Sequence, residues 1–422
     1  MFPKIESIRY AVRMDSPLTR AQYVRWRNAV FAIFLASGVS IATWAARVPD
    51  IKLALDIHNA QIGLLLLGMG IASIIGISTG PAVMARTGAR RGMLTMMITL
   101  AVGLALIGVG TTLLASFPVV VIGLVLFGLG NGSLDVMMNV EATAIEQEAG
   151  RTILPLFHAF FSFGTVIGAG VGWAATTWHV SVVLHTSVMA LAILIAAFVC
   201  IANVPDREAV LDPEASGEKP HWRERMHVAL SAWREPRTYA LGVVMLGMAF
   251  AEGGANDWLA LGTAEDHGGG TAMGAAALTV FSVCMTAVRI FGGPLVDRFG
   301  RVVVLRVLAA AAASGILLFI LAPSLPFVFV GAALWGIGAS LGFPLGMSAA
   351  ADDPTKAAAR VSAAATIGYV AFLGGPPILG VISEQIGLLN TLFILVALVV
   401  ASGLFSGAAR PLKEEPETVA TK

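Results

Sequence analysis

Residues 293–301 read Gly293-Pro294-Leu295-Val296-Asp297-Arg298-Phe299-Gly300-Arg301, a short charged stop between two long apolar runs at 272–293 and 302–322. An apolar run of about 20 residues is long enough to cross a bilayer as a helix. Working outward, ten further runs meet the same measure, at 28–46, 60–84, 93–114, 118–139, 154–176, 180–203, 239–261, 326–349, 361–383 and 388–408. Turn signals separate adjoining runs at Ala115-Ser116-Phe117-Pro118, Thr177-Trp178-His179 and Ala322-Pro323-Ser324-Leu325-Pro326. Twelve spans predict an all-α membrane protein.

Composition points the same way. Of 422 residues, 57% are hydrophobic and 13% charged, with a mean hydropathy of +0.83. Soluble domains carry about 25% charged residues, and half that number cannot cover a water-facing surface. A net charge of +1 gives no footing for nucleic acid. Cys200 and Cys284 both lie in apolar runs. They form neither a disulfide framework nor a metal-ligand spacing, and read as packing residues. No metal and no cofactor is expected. The first apolar run is too long for a signal-peptide core.

Lys and Arg distribute by side. With a cytoplasmic N-terminus, 24 of the 27 basic residues fall on the cytoplasmic side, leaving Arg47, Lys52 and Arg289. By the positive-inside rule, both termini are expected in the cytoplasm of a bacterial inner membrane. The expected organisation is an N-terminal segment 1–27, a six-helix bundle 28–203, a charged linker 204–237, a second bundle 238–409 and a polar tail 410–422.

The two bundles read as copies. Leu126-Phe127-Gly128-Leu129-Gly130 is echoed by Leu334-Trp335-Gly336-Ile337-Gly338, Arg86-Thr87-Gly88 by Arg298-Phe299-Gly300, and Trp44-Ala45 by Trp258-Leu259, at offsets of 208, 212 and 214 residues. A near-constant offset implies two halves related by an axis along the membrane normal, with a substrate site between them.

The stretch 293–301 resembles the signature loop of the major facilitator superfamily, and the resemblance extends over the whole chain. The copy at Gly80–Arg91 has Ala85 where the family places Asp. More narrowly, the chain resembles a bacterial YbjJ-like, fucose-permease-related, MosC-like subgroup. The residues concerned are Trp44 to Lys52, Asp135 to Asn139 followed by His158, Glu252 with Asp257-Trp258, and Gly368-Tyr369 with Gly374-Gly375-Pro376-Pro377. The resemblance implies the major facilitator fold and secondary transport of small polar solutes. It also implies that Asp297 and Arg298, with Arg86, Gly293 and Arg301 in the two loops, form a conformational gate on the cytoplasmic side. Drug–proton antiporters of the superfamily often carry Gly-Pro in span 5, where this chain has Gly168-Ala169.

Ionisable residues at bilayer depth are costly and tend to face a cavity or a partner. Asn131, Asp135 and Asn139 recur at i, i+4 on one face of span 4. The span-10 copy has Ala339, Phe343 and Met347 at those positions, so the polar stripe belongs to the N-half alone. His158 begins span 5 at comparable depth. An Asp135–His158 pair would bind and release a proton or, blandly, fasten spans 4 and 5. Glu252 and Asn256 share a face of span 7 beside Gly253-Gly254, followed by Asp257. Glu252 is the leading proton-coupling candidate, and Asp257 a coupling residue or an external gate paired with Arg47. Trp44 and Trp258 are expected at the outer interface or cavity wall. Arg289 is expected to snorkel or to meet the inner gate.

The expected protein is a proton-coupled carrier of a small sugar-like or cyclitol-like solute, working by alternating access as a monomer in the lipid bilayer. The alternatives are efflux by proton antiport and, less favoured, a non-transporting sensor. No phosphate-binding loop, zinc spacing or Gly-x-Ser-x-Gly turn suggests an enzyme.

Overall fold

A computed structural model describes residues 19–150, 153–205, 231–352 and 357–411. The linker expected at 204–237 falls mostly outside them, as do most of the N-terminal segment and the tail. The described residues are helical, without a strand. In lipid every backbone polar group must be satisfied within its own segment, so helices are the natural solution.

Local chemistry sets the ends. Span 1 starts at Arg20, earlier than its apolar run, because Thr19 and Gln22 close a capping box: the Gln22 N–H donates to Thr19 Oγ1 at 3.3 Å and the Thr19 N–H to Gln22 Oε1 at 2.9 Å. Spans 4, 5, 7 and 10 have Pro in the first turn, as has the short helix that opens at Gly293, and there its missing N–H costs nothing. Span 4 runs to Ala149, ten residues past its apolar run.

Eleven segments are long and apolar enough to cross a membrane, and one of them, Asn59–Leu113, has 55 residues. At about 1.5 Å per residue it is far longer than a bilayer. Gly88, at φ 75° and ψ 160°, turns the chain back and divides it into spans 2 and 3, giving the twelve expected. Residues 293–301 are not a loop. They are helical from Gly293 onward, and Gly300 at φ 78° and ψ 157° breaks the helix before span 9.

Gly88 and Gly300 are repeat-related, and their backbones agree within 3°. The packing repeats as well. A Cβ on Gly128 would overlap the Met69 carbonyl oxygen, and one on Gly336 the Phe281 carbonyl oxygen. Both are contacts between the second and fourth spans of a half. Span 1 packs on spans 5 and 6 as span 7 packs on spans 11 and 12. The halves meet along spans 2 and 11 and along spans 5 and 8, a reciprocal pair under the same symmetry.

With twelve spans the first and last described helices end on one face, called here the terminal face; the opposite is the far face. Trp26, Phe34, Phe127, Trp258, Phe281, Phe319 and Trp335 fill the bundle interiors.

Candidate functional site between the halves

Glu252 lies near mid-depth, about 18 Å from the far end of span 7 at 1.5 Å per residue. Its carboxylate Oε1 accepts from Arg289 Nη2 of span 8 at 2.8 Å, and the two side chains are 18% and 20% exposed. Arg289 Nε also donates to the Ser340 carbonyl of span 10 at 2.9 Å, and Nη1 to Ser162 Oγ of span 5 at 3.4 Å. One guanidinium thus ties three spans of the C-half to the N-half. The expected snorkelling is corrected. Helical side chains lean toward the helix N-terminus, which for span 8 lies at the far face, and the acceptors are on that side.

Beyond Glu252, span 7 widens into a π turn at Ala255–Leu259. Such single turns often mark functional positions. Asn256 and Asp257 are half-buried there, while Trp258 is fully buried.

On the N-half, Ser37 Oγ of span 1 donates to Asn131 Oδ1 at 2.9 Å. Asn139 Nδ2 donates to the Asp135 carbonyl at 2.8 Å and to Asp135 Oδ1 at 3.3 Å. His158 stands edge-on to Phe34, centroids 5.5 Å apart. It precedes Ser162 by four residues and so shares the face that meets span 8, where Thr286 Oγ1 donates to the Ser162 carbonyl at 3.1 Å. Among the described residues Asp135 and His158 form neither a hydrogen bond nor an ion pair. Span 1 packs along span 5 and also reaches span 4.

Arg47 does not pair with Asp257. Its Nη1 donates to Thr176 Oγ1 at 2.8 Å, its Nη2 to the Val180 carbonyl, and its Nε faces Asp50 Oδ2 at 3.3 Å. All are N-half groups. Trp44 and Trp258 are 3% and 0% exposed. They are interior packing residues, not an interfacial belt, because both helices turn these faces toward neighbouring spans. Arg86, Gly293, Asp297 and Arg298 are exposed at the terminal face. Arg301 instead pairs with Asp352 at 2.7 Å, and Asp352 with Arg237 at 2.9 Å, a network within the C-half. Sequence reasoning missed Ser37, Ser162 and Ser340. Serines and carbonyls in apolar helices carry no pattern of their own.

The family description of the Major Facilitator Superfamily matches residues 29–276 and 258–422. The chain belongs to the major facilitator superfamily. It is 32% identical over 362 residues to the uncharacterized transporter y4wD of Sinorhizobium fredii, covering 85% of this chain and 91% of that one. Membrane protein MosC of Rhizobium meliloti is 26% identical over 393 residues, 92% of each chain. A chloramphenicol resistance protein of Streptomyces lividans is 29% identical over 396 residues, covering 87% and 92%. Among solved structures, the nucleoside transporter NupG superposes with a TM-score of 0.70 at 14% identity, covering 92% of this chain and all of that one. The transporter FucP, in its outward conformation, gives 0.62 at 17% identity, covering 93% and 100%. At these identities the likeness is one of fold. This superfamily member is a multi-pass membrane transporter, not an enzyme.

Proposed function

We propose that the protein is a proton-coupled secondary transporter of a small polar organic solute, sugar-like or cyclitol-like, working by alternating access. The observation that carries this is the Glu252–Arg289 pair within the C-half, whose guanidinium faces the N-half. A carboxylate and a cation held inside the membrane are costly and mark a functional site by default, and the cation also touches Ser162 of the opposite half. Protonating Glu252 removes the charge that Arg289 pairs with. The two arrangements of the halves then differ in free energy, and such a difference is what drives a conformational exchange. Asp135, Asn139, Asn131, Asn256 and Asp257 offer hydrogen-bonding groups to a hydroxyl-rich solute, with His158 beside them. The E.coli fucose:proton symporter FucP shares the fold, which supports a polar solute moved with a proton. We place both termini in the cytoplasm and the protein, as a monomer, in the bacterial inner membrane, on the distribution of Lys and Arg. The terminal face is then cytoplasmic, and Arg86, Asp297 and Arg298 close it when the far face opens.

Efflux by proton antiport is the second reading, favoured by the similarity to a chloramphenicol resistance protein. Charge movement in proteoliposomes on a solid-supported membrane separates the two. Sugars, cyclitols, amino acids and cationic drugs are added with and without a pH gradient. An inward positive current on adding one neutral solute, absent in Glu252→Gln, is the expected result. Responses confined to cationic drugs favour antiport. A Glu252→Gln protein whose transport keeps its full pH dependence removes Glu252 from coupling.

A further inference from the structure

Span 10 is not one helix. Leu325–Ala339 ends, Ser340 and Leu341 bend, and Gly342–Ala350 resumes, with Leu341 at φ −112° and ψ −1°. The cause is in the sequence four residues on. Pro344 has no N–H, so the carbonyl at position 340 has no helical donor. A carbonyl without a donor inside a membrane must find one elsewhere. The Ser340 carbonyl takes it from Arg289 Nε, at 2.9 Å.

The guanidinium is planar and rigid. Fixing its Nε edge on Ser340 sets the direction of the other two nitrogens, and Nη2 then meets Glu252 Oε1 at 2.8 Å. Arg289 is two residues from the end of its helix at Phe291, so nearer water is available to a side chain of that length. The Ser340 anchor turns it away from that water. We propose that Pro344 is a positioning residue of the coupling site: by withholding a backbone donor from Ser340 it creates the acceptor that aims Arg289 at Glu252. The inference rests on the reading of Glu252 as coupling group, and it extends that site to an apolar residue on a third span.

The charged surroundings of Glu252 are few. Arg289 faces it from span 8, His158 lies within electrostatic reach of Arg289 from span 5, and Asp257 follows on its own helix. Span 1 over 28–46, span 11 over 361–383, and spans 10 and 12 contain no Asp, Glu, His, Lys or Arg. A change in how Arg289 is held therefore acts on Glu252 with little to buffer it.

The test follows the carboxyl C=O stretch by infrared difference spectroscopy of the full-length protein in proteoliposomes, titrated with acid and base alone. The band missing in Glu252→Gln is assigned to Glu252. Pro344→Ala restores the N–H, the Ser340 carbonyl regains its helical donor, and the midpoint of that band is expected to depart from wild type. Pro344→Gly restores the same N–H without a side chain and is read alongside, in case one variant fails to fold. Arg289→Lys, which cannot bond Ser340 and Glu252 with one rigid fork, moves the midpoint in the same direction. Combined with Pro344→Ala it gives no further shift, a non-additivity that general loosening of the helix does not produce. A wild-type midpoint in both Pro344 variants, with Arg289→Lys shifted, overturns the role of Pro344. The coupling reading fails separately, if the Glu252 band titrates while Glu252→Gln leaves the pH dependence of transport intact.

Discussion

Arg47 and Asp50 sit just beyond span 1 at the far face, and their titration is set by two opposed causes. Burial raises the Asp50 carboxyl above its ordinary 3.8, while the Arg47 charge and the hydroxyls of Thr271 and Thr176 pull it back. Burial is the larger cause. The folded protein therefore holds this proton more tightly than the unfolded chain. The contribution to stability falls as pH rises from 3.8 through the raised value. Asp50→Asn is expected to flatten that part of the curve of melting temperature against pH in detergent. At pH 7 its stability should not fall below wild type, because a carboxyl raised by burial loses more on ionising than the Arg47 charge returns to it. A large loss at pH 7, with the acid limb unchanged, would show that pairing with Arg47 outweighs burial. At this scale the sequence was only half informative. Glu252, Asp135 and Asp257 stood out because charges are rare in apolar runs. Arg289 stood out for the same reason, but its pairing with Glu252 did not, because the two are 37 residues apart and nothing in their spacing joins them.

Among the elements, the two turns at Gly88 and Gly300 shape both halves. Their φ near +75° and ψ near 160° lie in a region that is essentially glycine's alone. No atom lies within 4 Å of where a Gly300 Cβ would stand, so the cost of a side chain there is backbone strain and not crowding. Gly300→Ala is expected to destabilise by about 1–3 kcal/mol, read as a fall in melting temperature. Gly293→Ala, also with open space around its Cβ but with no positive φ, should cost much less. Equal costs would mean that the turn tolerates a side chain. The repeat of Arg-x-Gly was visible as a sequence echo. That 293–299 is helical was not, because a Gly-Pro opening followed by charges has the composition of a loop.

For the molecule as a whole, the far-face contacts between halves set which side is open. Lys52 pairs with Glu265 across the halves, Glu384 Oε1 of span 11 accepts from the Ala60 N–H at the start of span 2 at 3.0 Å, and Gly63 lies against Pro376 and Pro377. The carboxylate at the span-2 N-terminus also suits the positive end of that helix. Lys52 and Glu265 are 15% and 43% exposed, and an exposed pair contributes about 0.2–1 kcal/mol. Glu265→Gln should therefore shift the population toward far-face opening by no more than about fivefold. Spin-label distances across the far face in proteoliposomes read the change. No shift would assign the closure to Glu384 and the glycine–proline contact instead.

Hydropathy and the distance needed to cross a bilayer determined twelve helical spans from the sequence alone. The near-constant offset between glycine motifs determined that they form two related halves, since close packing demands glycine at the same places twice. Rarity of charge picked out the interior carboxylates. Only the tertiary structure decided what those carboxylates touch. It joined Glu252 to Arg289, Arg289 to a carbonyl exposed by Pro344, and Arg47 to its own half. The physical reason is that transmembrane helices are individually determined by local solvation in lipid. Which of their few polar groups meet depends on rotation and depth against neighbours distant in sequence, and those are fixed by packing.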